Sequence, residues 1–129
     1  MAKVRIVIGM MGMDQHEVGA IAVSRILMEA GMEVIYLGRF QSPQSMANAA
    51  IDEAADVIGV SCHSWEYLNF VPDLLKLLKE KNSDISVVVG GSVITAKDKD
   101  RLLSIGVAGV FEAGIDKTEI VNSIKSLAT

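Results

Sequence analysis

The chain is poor in several things that usually announce a function. It has one cysteine, Cys62, so it cannot close an internal disulfide. No apolar run approaches the roughly 20 residues of a membrane-spanning helix. Its Lys and Arg residues number 12 against 16 Asp and Glu, for a net charge of −4, and none of the basic residues cluster. Nucleic acids and anionic membranes both select a basic face, so neither is expected as a partner. No linker, internal repeat or low-complexity segment interrupts the pattern. A secretory leader pattern is lacking too, because Met1-Ala2-Lys3 runs straight into a strand pattern. With the lone thiol, this predicts a cytoplasmic protein in a reducing compartment. Gly9-Met10-Met11-Gly12 lacks the Gly-Lys-Ser/Thr ending of a phosphate loop, and its glycine spacing is not that of a dinucleotide fingerprint.

What is present is an alternation. The 129 residues, half of them apolar, suit one domain over 1–129. Strands are expected at Val4–Gly9, Glu33–Leu37, Val57–Ser61, Ser86–Gly90 and Gly109–Phe111. They are Val- and Ile-rich on both faces, as in a parallel sheet covered on two sides. Helices are expected at Val18–Ala30, Gln44–Glu53, Tyr67–Lys81, Lys97–Ser104 and Lys117–Leu127. Gly31 follows the first helix as a C′ glycine. Ser42-Pro43 opens the second with a cap and a first-turn proline. Asn82-Ser83 closes the third, and Asp116 or Lys117 opens the last. Five βα units predict an α/β fold: a doubly wound, five-stranded parallel sheet, flavodoxin-like, with strand order 2-1-3-4-5.

Chemistry-bearing residues gather at the carboxyl ends of these strands, where open parallel sheets bind ligands. The first strand leads into Gly12-Met13-Asp14-Gln15-His16-Glu17-Val18-Gly19. Asp14 and His16 have the spacing of a carboxylate that orients an imidazole whose other nitrogen faces a metal. The third strand ends in Ser61-Cys62-His63-Ser64-Trp65, the fourth in Val89-Gly90-Gly91-Ser92, and the fifth is followed by Glu112-Ala113-Gly114. In the expected order the first, third and fourth strands are neighbours, so these loops meet around one crevice. Glycines and Ser61 beneath a His-bearing loop describe a deep, narrow slot for an elongated or planar group. The connection from Met10 to Val18 exceeds the usual βα loop of about 2–6 residues. Its Met10, Met11 and Met13 read equally as a surface covered in use or as the top of the core.

Together these residues resemble the cobalamin-binding domain of adenosylcobalamin mutases and methionine synthase. Asp14-x-His16-x-x-Gly19 is complete, Ser61-Cys62-His63 follows after 41 residues, and Gly90-Gly91 after a further 26. The third residue of the Ser-x-Leu element is His63 here, and Met10 stands where acyl-CoA mutases usually carry Lys. Phe40-Gln41-Ser42-Pro43, Phe70-Val71-Pro72-Asp73-Leu74-Leu75 and Val87-Val88-Val89-Gly90-Gly91 are similar to segments of the methylmalonyl-CoA mutase C-terminal domain. The glutamate mutase small subunit is similar in size. The resemblance implies adenosylcobalamin bound base-off, with His16 as lower axial cobalt ligand and Asp14 holding the imidazole. Ser61 would line or bond the displaced nucleotide tail, with Gly90 and Gly91 leaving it room. The cofactor-binding set is then Met13, Asp14, Gln15, His16, Glu17, Gly19, Ser61, Cys62, His63, Gly90, Gly91, Ser92 and Gly114. No catalytic residue is assigned, because a separate large barrel subunit would carry the substrate.

Plainer readings stand beside these. Taken alone, His16 is a solvated loop histidine, Ser61 a strand-end hydroxyl on backbone, and Gly90-Gly91 a tight turn. Cys62 reads as a small buried filler, and Glu17 as a first-turn residue favoured by the helix dipole. His63 reads ahead of all as a partner or solvent contact, and Lys97–Arg101 as a solvated helix face. A corrinoid carrier for methyl transfer, a non-catalytic cobalamin sensor or storage module, and a domain that has lost cobalamin are the alternative functions. The first two usually carry an added cap or DNA-binding segment.

Overall fold

The computed structural model describes residues 3–11, 17–62, 67–92, 94–112 and 114–128. Strands rich in Val and Ile alternate with helices: β1 (Arg5–Met11), α1 (Glu17–Glu29), β2 (Glu33–Gln41), α2 (Pro43–Asp52), β3 (Val57–Ser61), α3 (Tyr67–Glu80), β4 (Ser86–Gly91), α4 (Ala96–Ser104), β5 (Gly109–Glu112) and α5 (Lys117–Leu127). All strand pairs are parallel, in the order β2-β1-β3-β4-β5. The expected flavodoxin-like sheet is therefore the observed one. No helix among the described residues is long and apolar enough to cross a membrane.

Side chains alternate across each strand and feed two cores. Val7, Ile58, Val60, Val87, Val89 and Val110 point to one face, where Met46, Ala47 and Ala50 of α2, Val71, Leu74 and Leu78 of α3, and Leu102 of α4 close over them. Ile6, Ile8, Met10, Val57 and Val88 point to the other, under Ala20 and Leu27 of α1 and Ile120 and Ile124 of α5.

Local chemistry ends the helices where the sequence suggests. At the C-terminus of α1, Gly31 takes φ +89°, and Met32 N–H donates to the Leu27 carbonyl at 3.1 Å. An L side chain at Gly31 would strain that left-handed turn. Ser42 and Ser45 form a reciprocal capping box at α2, with Pro43 in the first turn. Asp116 caps α5 through Thr118 N–H at 2.8 Å. At the amino edge of the sheet, Arg5 Nε donates to Glu33 at 2.8 Å, Arg5 Nη1 to the Glu53 carbonyl at 2.6 Å, and Arg5 N–H to Asp56 at 2.9 Å. The hydrogen bond and charge of Glu33 raise the guanidinium pKa further above its already high value.

Two expectations about β1 and β2 need correction. Met10 and Met11 belong to β1, not to a covered loop, and both are buried, one in each core. They fill the top of the core; Met13 lies outside the described residues. The second strand runs four residues past Leu37, because Gly38 at φ +82° and Phe40 at φ +61° absorb two register shifts against β1. Pairing resumes at Met11 with Gln41. The Arg39 guanidinium lies 5.2 Å over the exposed Phe40 ring.

Candidate functional site

Between the sheet and the helices α1 and α5 lies a cavity of about 440 Å³. It opens at the carboxyl edge and runs down the face made by β1, β3 and β4. On that face β3 presents Val57, Gly59 and Ser61, and β4 presents Val88 and Gly90, while Phe111 of β5 lines the side. The helical walls are Ala20, Val23 and Leu27 of α1 and Ile120 and Ile124 of α5. Among the described lining side chains, the polar ones are Ser61, Ser92, Glu112 and Lys117, and each sits at the carboxyl edge. Glu112 pairs there with Lys99 at 3.2 Å. The mouth is polar and the depth apolar, as in a pocket whose few polar groups orient a largely apolar ligand.

Several residues expected at the site meet around this cavity: Gly19, Ser61, Gly90, Gly91, Ser92 and Gly114 all line it. Ser61 and Gly90 are register partners across β3 and β4. Cys62 does not join them. Its side chain is buried in the core on the far face of the sheet, with Sγ 3.8 Å from the Val60 carbonyl oxygen. Alternation decides this, since Cys62 is one residue past Ser61. Glu17 is the first residue of α1. Met13, Asp14, Gln15, His16 and His63 lie outside the described residues.

The glycine pair divides its work. A Cβ on Gly90 would meet the Phe111 carbonyl oxygen and Cβ at 3.4 and 3.6 Å, ordinary contacts. A Cβ on Gly91, at φ +153°, would collide with the Cys62 carbonyl group. Gly91 lets the end of β4 pass against the chain leaving β3, where Cys62 N–H donates to the Gly90 carbonyl at 2.7 Å. Gly90 keeps the space in front of it open.

Sequence reasoning missed Gly59 and the helical walls. The signal for Gly59 was a glycine inside a Val- and Ile-rich strand, two residues before Ser61 and so on the same face. The standing apart of α1 and α5 has no comparable signal.

The architecture is a widely shared one. The FixJ N-terminal domain superposes with a TM-score of 0.76 over 99% of this chain and 95% of its own, at 16% identity. A cobalamin-binding protein from Desulfitobacterium hafniense DCB-2 superposes with a TM-score of 0.84 over 98% of this chain and 60% of its own, at 17% identity. These likenesses define the class, a flavodoxin-like α/β domain, and no more. Residues 4–121 match the B12 binding domain, and the chain belongs to that family. It is 36% identical over 124 residues to the 2-hydroxyisobutanoyl-CoA mutase small subunit of Aquincola tertiaricarbonis, covering 96% of this chain and 91% of that protein. Identity to the pivalyl-CoA mutase small subunit of Xanthobacter autotrophicus is 33%, over 95% and 82% of the two chains. Methylmalonyl-CoA mutase of Rhizobium meliloti is 31% identical over 97% of this chain, which spans only 18% of that protein's length.

Proposed function

We propose that this chain is the cobalamin-binding subunit of an isomerase, an adenosylcobalamin-dependent acyl-CoA mutase of the cytoplasm. The observation that carries the proposal is the slot itself: apolar in its depth, with Ser61 and Gly90 at its carboxyl-edge mouth and Gly59 below them. Its shape fits the nucleotide tail of cobalamin once that tail has left the cobalt. A macrocycle that brings its own cobalt needs only one protein ligand. His16 is the residue for that position, and an imidazole binds a borderline metal through its unprotonated nitrogen. Asp14 would accept the hydrogen bond of the other ring N–H, which would fix the tautomer and make the ligand more basic. The Ser61 hydroxyl would orient the polar end of the buried base, and the apolar walls below would exclude water from it.

Bound adenosylcobalamin would supply a carbon radical by homolysis of its Co–C bond. The substrate would belong to a large partner subunit, of the barrel type, seated over the carboxyl edge.

The test is spectroscopic. Purified protein mixed with adenosylcobalamin should give a base-off visible spectrum. Its Co(II) form should show EPR superhyperfine coupling to a protein imidazole nitrogen, and His16→Ala should lose that coupling while Asp14→Asn weakens binding. A benzimidazole still coordinated in the bound state would sink the assignment. Affinity capture from the source cell should recover a large mutase subunit.

A further inference from the structure

Gly59 stands in the interior of β3 among Val57, Ile58 and Val60, where a glycine has no side chain to pack and costs the strand backbone entropy. Its backbone conformation does not require it. Unlike Gly91, it has an ordinary extended backbone. A Cβ there would lie 3.3 Å from Ile8 Cγ1 and 3.5 Å from Ile6 Cδ1, and no backbone atom comes nearer than the Val7 carbonyl oxygen at 3.9 Å. Both close neighbours are side-chain atoms of residues that border the cavity, and Ile8 would have to give by a few tenths of an ångström to admit the Cβ. What an added side chain at 59 would remove is space.

That space has a definite depth. Gly59 is two residues below Ser61 on the same face, about 6–7 Å further from the mouth. The interval matches the long dimension of a fused bicyclic base whose polar end rests at Ser61. Around and below it the walls are Ile6, Leu27, Val88, Ile120 and Ile124, with no polar side chain among the described residues at that level.

We propose that Gly59 is the specificity-determining residue of the slot: it sets the depth and admits the distal, methyl-bearing edge of the lower base. This rests on reading the slot as the nucleotide's site. Substitution at 59 should act on the ligand according to the size of its base, not on the fold.

The experiment titrates the full chain and its Gly59→Ala and Gly59→Val variants with three corrinoids. These are cobalamin, the analogue whose benzimidazole lacks both methyl groups, and cobinamide, which has no nucleotide. Overpacking one or more methyl groups should weaken cobalamin binding to Gly59→Ala about tenfold. The analogue without methyl groups should recover most of that loss, because the ligand then yields the volume the protein has taken. Gly59→Val should lose the preference for cobalamin over cobinamide. Unliganded, Gly59→Ala should unfold close to the wild-type midpoint, the lower backbone entropy of the unfolded alanine chain offsetting the crowding of Ile8. Gly59→Ala carries the test if the valine variant fails to fold. Equal weakening of all three corrinoids, or undiminished cobalamin binding to both variants, overturns the role of Gly59. A wild-type chain that binds cobalamin no better than cobinamide overturns the slot assignment itself, and with it the proposal.

Discussion

The two faces of the sheet are packed to different ends. On the face of α2, α3 and α4, Ile58, Val60, Val87 and Val89 meet Ala47, Ala50, Val71 and Leu74, all of them buried. On the face of α1 and α5 the same two strands carry Gly59, Ser61 and Gly90 at alternate positions, and a cavity of about 440 Å³ remains. The same period of two supplies both faces. What differs is the volume of the side chains at alternate positions, so the site is made by withholding atoms from one face while the other supplies the packing that holds the sheet. The two adjacent glycines show the division at its smallest scale. Gly90 faces the cavity and leaves room, whereas Gly91 relieves a backbone collision with Cys62.

The largest effect expected from this contrast is on the filled face. Leu74→Ala should cost about 2–5 kcal/mol of unfolding free energy in a denaturant titration. Ile120→Ala, on the cavity wall, should cost clearly less, because fewer atoms surround it. Equal costs would break the contrast between the faces. Next, Gly91→Ala should cost about 3 kcal/mol, since it must both leave a glycine-favoured φ and displace the Cys62 carbonyl. Gly90→Ala should stay within about 0.5 kcal/mol. A similar penalty at both positions would show that the pair is a single tight turn. Filling the open face with ligand should then recover stability. Cobalamin at 100 times its Kd should add about 2.7 kcal/mol, read as a rise in the thermal midpoint that Leu74→Ala does not abolish. The smallest effect is a cap far from the slot. Ser42→Ala should cost about 1 kcal/mol and leave cobalamin affinity unchanged, which sharpens the claim that only the α1 and α5 face answers to the ligand.

Much of the architecture was legible because the signals were local. Strands apolar on both sides, Gly31 after α1, Ser42-Pro43 before α2 and Asp116 before α5 each constrain the chain within a few residues. Misreadings fell where local chemistry was overridden at longer range. The second strand is expected to stop at Leu37, yet pairing with β1 carries β2 on to Gln41. Met10 and Met11 read as loop, yet the extended β1 buries both. Cys62 sits within the motif in sequence, but alternation sends its side chain to the opposite core.

The sequence by itself determined the order of elements, the carboxyl-edge location of Ser61, Gly90 and Gly91, and the family, because periodicity, caps and spacing are properties of the covalent chain. Only the tertiary structure decided which small residues make a cavity and which merely permit a crossing. Glycines look alike in a sequence, and the difference between Gly59, Gly90 and Gly91 lies entirely in what stands across from each once the strands pair and the helices settle at their distance.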